Sequence, residues 1–293
     1  MTVRAWAQAV ATGDGHRFEL LARAPVNPAA GLLWLPALGV PARHYLPFAE
    51  TLAERGVAVF LHEWRGNGSS NLRPSRAVDW GYRELLADIA ASRDAMAAAL
   101  PATAARRLGG HSLGGQLACC HAALDDGTGY EELWLVASGT PYWRRFPAPR
   151  GWTLPLAYRF LPWLARRNGT LPGRRIGFGG TEARGVIRDW ARVGLTDRYR
   201  ADGIGQDMDA ALRGLRIRIR GVTLDRDWLA PRSSLQGLVA RMHRASASLV
   251  TLGRMQLGTD ADHFAWMRAP AGVVETLAGQ ADVRRAGKPH EIS

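Results

Sequence analysis

The stretch "GGHSLGGQL", residues 109–117, constrains what this chain can fold into more than any other. A glycine inside a helix or strand costs roughly 0.5–1 kcal/mol relative to alanine, so a cluster around one serine marks a backbone shape that other residues cannot take. The preceding "RRLGGH" reads as a strand, and the residues from 113 to about 125 read as a helix. Gly110, His111, Ser112, Leu113 and Gly114 therefore spell G-x-S-x-G at a strand-to-helix junction. In so tight a turn the serine backbone is strained and its neighbours lack room for side chains, which predicts that Ser112 stands exposed at the tip.

The segments around this turn alternate in period. Residues 16–24 and "GLLWLPAL" (31–38) read as strands, and Tyr45, Phe48, Ala49 and Leu52 share one helical face within 42–55. A buried strand at 56–62, a helix over 79–100 and a strand at 131–138 continue the pattern. It resumes with a strand at 215–224, a helix through Leu235, Leu238, Val239 and Met242, a strand at 247–253 and a last helix after His263. Such alternation predicts an α/β fold, a mostly parallel sheet flanked by helices. Residues 139–210 break it, with six prolines, a high share of the tryptophans and no clear strand. The expected organisation is a core made of residues 1–138 and 211–293, with a cap inserted at 139–210.

Composition narrows the function. A chain of 293 residues that is 47% hydrophobic and 22% charged suits one large globular domain, or one domain with an insertion. No apolar run approaches a membrane span, and the N-terminus lacks the apolar core of a secretion signal, which predicts a cytoplasmic protein. Cys119 and Cys120 are adjacent within a predicted helix, where ordinary disulfide geometry is unreachable, and no zinc-type spacing exists, so no metal is expected. The formal charge of +12 is spread along the chain and is almost all arginine, Lys288 being the one lysine; no nucleic-acid motif accompanies it, and no nucleic-acid partner is expected. Gly177, Gly179 and Gly180 lack the third glycine and the preceding strand of a dinucleotide loop, and no cofactor is expected.

A serine hydroxyl is a weak nucleophile until a base takes its proton, and the base needs a carboxylate to orient it. In an architecture of this kind the carboxylate follows the first strand after the insertion and the histidine follows the last strand. "TLDRDWLAP" (223–231) offers Asp225 and Asp227; Asp227 lies four residues before Pro231 and is preferred, with Asp225 left open. "DADHFAWMR" (260–268) supplies His263, whereas His243 falls in a predicted helix and His290 in a polar tail. Oxyanion donors are expected from the N–H of Leu113 and, in "PALGVP", from Leu38. Ser69 and Ser70 are read as shaping the site without doing chemistry.

"GHSLGG", the "EWRGNGSS" loop (63–70) and the late Asp-His-Phe together resemble the α/β-hydrolase superfamily over most of the chain. "PALGVP" and "GFGGTEARGVIRDWARV" (177–193) are similar to a branch of predicted bacterial hydrolases related to serine aminopeptidase and monoacylglycerol lipase types. The resemblance implies the α/β-hydrolase fold, with an eight-stranded type of sheet, and a cofactor-free serine hydrolase that cleaves a carboxylic ester through an acyl-enzyme. Ser112 is then the nucleophile, His263 the base and Asp227 its orienting acid. Thioester or amide cleavage and acyl transfer use the same parts, and a non-catalytic binding protein of this fold is the reading of a different class.

The insertion is unusually aromatic, with Trp143, Trp152, Trp163 and Trp190 among its residues. Pockets for organic ligands are mostly apolar, so Trp143, Trp152 and Trp163 are expected to bind a hydrophobic acyl or ester substrate. Arginines 144, 145, 159, 166 and 167 beside these aromatics also raise peripheral lipid contact.

Overall fold

A computed structural model describes residues 2–127 and 129–285; Lys288 and His290 lie outside the described residues. The chain opens with strands β1 (Val3–Ala11), β2 (Arg17–Pro25) and β3 (Ala30–Leu35), followed by helix α1 (Leu46–Ala53) and strand β4 (Val57–Leu61). Then come α2 (Tyr82–Ala99), β5 (Ala105–His111), α3 (Leu113–Leu124) and β6 (Glu132–Val136). The next stretch holds α4 (Arg150–Asn168), β7 (Leu171–Pro172), α5 (Gly173–Ile176), β8 (Thr181–Glu182), α6 (Arg184–Thr196) and α7 (Met208–Gly214). The chain continues through β9 (Arg218–Leu224), α8 (Arg232–Val239), β10 (Ser246–Leu252), α9 (Arg254–Leu257) and α10 (Ala271–Arg285).

Eight strands form one sheet in the order β1-β2-β4-β3-β5-β6-β9-β10. Strand β2 runs antiparallel to both its neighbours, and the pairs from β4 to β10 are parallel. Every residue of β3, β4 and β6 is buried, as their near-continuous Val, Leu, Phe and Trp runs require when helices cover both faces. On one face α2, α3 and α8 enclose Leu86, Ile89, Leu117 and Leu235; on the other, α1 and α10 enclose Phe48, Leu52, Val274 and Trp266. No described helix is long and apolar enough to cross a membrane.

Two elements depart from expectation. Strand β1 is an antiparallel edge strand, largely exposed, whose alanine-rich sequence carries little of the alternating apolar signal that marks a strand. Within the insertion, α4 continues for 19 residues through Pro155 and Pro162. Each proline removes one backbone hydrogen bond. The helix persists because its other side buries Tyr158, Leu161 and Ala165. The stretch from β6 to β9 adds no strand to the large sheet, and its one ribbon, β7 with β8, is two residues wide.

A sealed polar network ties the loop after β4 to the sheet. His16 Nδ1 lies 3.1 Å from Asp88 Oδ1 and its Nε2 lies 3.0 Å from Ser70 Oγ, while Arg65 meets both oxygens of Asp88 at 2.7 and 2.8 Å. This set resembles a relay of serine, histidine and aspartate, but all three side chains are buried, so no substrate reaches Ser70. Its effect is to fix the loop that flanks the loop after β3, since Trp64 Nε1 donates to Pro36 O at 2.8 Å. Removing Asp88 leaves the Arg65 charge with only the half-exposed Asp14. Asp88→Ala is expected to lower stability by about 3–5 kcal/mol, read as a reduced urea midpoint.

Candidate active site

Ser112 follows β5 and precedes α3 with φ 54° and ψ −119°, a strained backbone that a non-glycine residue rarely adopts. Its neighbours show why the turn demands glycine. A Cβ on Gly110 would stand 2.3 Å from the Gly114 carbonyl carbon, and one on Gly114 would stand 2.1 Å from Leu35 O. The turn is held from outside as well: Ser112 N–H donates to Val136 O at 3.2 Å, and the buried Ser138 hydroxyl donates to Ser112 O at 2.7 Å. Ser112 lines a cavity of about 170 Å³.

His263 and Asp227 arrive from the ends of β10 and β9. Asp227 Oδ2 accepts from His263 Nδ1 at 2.7 Å, and its Oδ1 accepts the N–H groups of Leu229 and Ala230 at 2.9 and 3.1 Å. Both side chains are buried. Asp225, the other aspartate of this loop, is exposed, and the carboxylate beside His263 is that of Asp227. Asp262 fixes the histidine's loop by accepting the N–H groups of Phe264 and Ala265, each at 2.8 Å. His263 and Ser112 line the same cavity; among the described residues no hydrogen bond joins their side chains.

The loop after β3 carries the second expected donor. Tyr45 OH accepts Ala37 N–H at 2.9 Å and lies 2.8 Å from His111 Nδ1. The phenol thus links the Ala37 backbone to the His111 ring. Complete burial and the neighbouring His263 push His111 well below the usual histidine range, so it is neutral. Val40 N–H closes a turn onto Ala37 O at 3.1 Å. These ties leave Leu38 N–H, like Leu113 N–H at the first position of α3, without a protein acceptor among the described residues, and both residues line the cavity beside Ser112. Tyr45 and His111 were not singled out by the sequence; the one signal was that His111 fills the x before the serine.

The three tryptophans expected to bind substrate need correction. Trp143, Trp152 and Trp163 do not line the cavity. Trp152 and Trp163 sit on the outward side of α4, which turns Leu154 and Tyr158 inward instead. The remaining aromatic walls are Phe146, Phe178, Trp190, Trp228 and Phe264. No Asp, Glu, Arg or Lys side chain lines the cavity.

Residues 179–182 also touch the loop after β3. Gly39, at φ +72°, lies so close to Gly180 that a Cβ would stand 2.1 Å from its nitrogen, and Glu182 Oε1 accepts Gly180 N–H at 2.6 Å. Cys119 and Cys120 are buried free thiols in α3, and burial pushes Cys119 up to about 12, so both stay protonated.

A model of the serine aminopeptidase (S33) family matches residues 27–192, more than half of the chain. The chain belongs to this hydrolase family. No curated protein sequence matches it. Among solved structures, the chain is similar to the DcsB complex with its substrate analogue at 15% identity and TM-score 0.63, covering 96% of this chain and 99% of that one. A hydrolase from Pseudomonas aeruginosa aligns at 18% identity and TM-score 0.59 over 93% and 97% of the two chains. Est1E from Butyrivibrio proteoclasticus, solved with ferulic acid, aligns at 18% identity and TM-score 0.60 over 93% and 100%. The fold is that of the α/β-hydrolases.

Burial raises the Glu182 carboxyl from its ordinary 4.5 to about 7. A folded-state value above the unfolded one means that the native state holds the proton longer, so stability falls as pH rises between these values. Glu182→Gln keeps an oxygen acceptor for Gly180 and removes the titration. Its stability relative to the native chain should therefore improve from pH 4.5 to about 7 and stay flat outside that window, by up to about 3 kcal/mol in paired urea titrations.

Proposed function

We propose that the chain is a serine hydrolase that cleaves a carboxylic ester with an apolar acyl group, using Ser112, His263 and Asp227. The observation that carries this reading is the buried His263–Asp227 pair opening onto the cavity that also holds the strained Ser112 turn. Ser112 Oγ attacks the ester carbonyl as His263 Nε2 takes its proton. Asp227 fixes the ring tautomer through Nδ1–H and stabilises the imidazolium that forms. The N–H groups of Leu113 and Leu38 receive the developing oxyanion, a contribution worth roughly 100- to 1000-fold in rate per donor. The alcohol leaves with the proton from His263, and water, activated by the same imidazole, releases the acid from the acyl-enzyme.

The cavity supports an ester over a peptide N-terminus. An α-ammonium group needs a carboxylate or several acceptors once water is excluded, and no carboxylate lines these walls. Phe146, Leu154, Phe178 and Trp190 instead offer apolar contact at the acyl side. All four come from residues 139–210, which act as the cap over Ser112. A neutral small-molecule ester is the substrate class, and thioester cleavage or transfer of the acyl group to an alcohol uses the same machinery.

A fluorophosphonate probe should label the native chain and leave Ser112→Ala unlabelled; labelling that persists in the variant removes Ser112 as nucleophile. With p-nitrophenyl esters, Asp227→Asn should lower kcat by about 10⁴, since the wrong histidine tautomer is then favoured. Trp190→Ala enlarges the cavity and should move the optimum of a graded ester series toward longer acyl chains while labelling by the probe is kept.

A further inference from the structure

The outward side of α4 is an apolar stripe with no protein cover. Trp152, Leu156, Phe160 and Trp163 recur at spacings of four, four and three residues and are 71%, 70%, 50% and 48% exposed. They are four of the eleven large hydrophobic side chains left exposed among the described residues. The rings of Phe160 and Trp163 lie 5.7 Å apart, so the stripe is continuous at that end. At the other end the Arg150 guanidinium stands 5.3 Å over the ring of Trp228, itself half exposed and part of the cavity wall. The first residue of α4 thus meets the aromatic ring at the cavity rim.

Charge accompanies the stripe. Helix α4 carries Arg150, Arg159, Arg166 and Arg167, all exposed, and no acidic residue. The whole chain has a formal charge of +12. Aromatic and aliphatic side chains on one helical side with arginines among them are the composition of a helix lying in a lipid headgroup layer, where the rings sink to the acyl boundary and the guanidinium groups meet phosphate. A second copy of the chain fits worse. A two-fold contact through this surface would set Arg159, Arg166 and Arg167 against their own symmetry mates without an acid on the helix to relieve them.

We propose that α4 docks the protein onto an anionic phospholipid bilayer, with Trp152, Leu156, Phe160 and Trp163 entering the interface and the α4 arginines holding headgroup phosphates. Docking places the rim at Trp228 beside the lipid, while the inner side of the same helix keeps Leu154 and Tyr158 on the cavity. The surface is independent of the chemistry at Ser112.

The test is flotation of the full chain with vesicles of phosphatidylcholine alone or mixed with phosphatidylglycerol. The native chain should float with the mixed vesicles and far less with phosphatidylcholine, and added salt should weaken the binding. Trp152→Ser with Phe160→Ser should weaken binding by at least about tenfold, as should Arg159→Gln with Arg166→Gln and Arg167→Gln. These side chains are exposed and outside the cavity, so thermal midpoint and hydrolysis of a water-soluble p-nitrophenyl ester should not change in either variant. Ser112→Ala should float like the native chain, which separates this proposal from the hydrolase reading. Equal flotation of native and stripe variants, no flotation with either vesicle, or an α4-dependent dimer by sedimentation would each overturn it.

Discussion

The structure turns on one backbone conformation. At Ser112 the chain leaves β5 and enters α3 through a φ of 54°, and it does so in space bounded by Leu35 O, Pro36 O and the buried Ser138 hydroxyl. A strained residue persists only when its surroundings over-determine it. Here the surroundings are the parallel strands on either side: β6 accepts the Ser112 N–H through Val136, and β3 sends its last carbonyls against Gly114. The same packing that forces the serine outward also brings the loop after β3 to the start of α3. The geometry of the Ser112 turn and the placement of the Leu38 and Leu113 N–H groups beside it therefore share a cause.

The tether on that loop extends the same logic into side chains. Tyr45 holds Ala37 N–H, and His111 holds Tyr45, so the residue beside Ser112 in the chain also orders the loop that faces Ser112 in space. The His111 ring packs 4.6 Å from that of His263, and burial together with that neighbour holds His111 well below the usual histidine range.

Much of this was legible in the chain, and the reasons differ by residue. The Ser112 turn reads clearly because its steric demand is met by glycine alone. Asp227 and His263 read by order, each following a strand of a recognisable alternation, and Asp227 stands apart from Asp225 because the chain after β9 needs three residues to turn Oδ1 onto Leu229 and Ala230 before Pro231 opens α8. The Tyr45–His111 tether joins residues 66 apart and has no local pattern to announce it. Strand β1 escapes because alanine carries no alternation. The cavity walls were misread in α4 since aromatic content says how much apolar surface a segment has, and only the helix's rotation says where it faces.

That rotation gives α4 two separate jobs in packing. Tyr158, Leu161 and Ala165 are buried, which orients the helix and leaves Leu154 and Tyr158 on the cavity. Orientation by three buried residues sets the opposite stripe free of any packing duty, so selection for a stable fold does not by itself keep Trp152, Leu156, Phe160 and Trp163 large and apolar. Leaving four such side chains in water carries a cost in solubility that polar residues would avoid. With two prolines already weakening the helix, a residue choice that stabilised it locally would favour alanine, glutamate or lysine on that side. The outer stripe is therefore free to serve a contact outside the fold, and its arginines, with no acid on the helix beside them, give that side a positive charge.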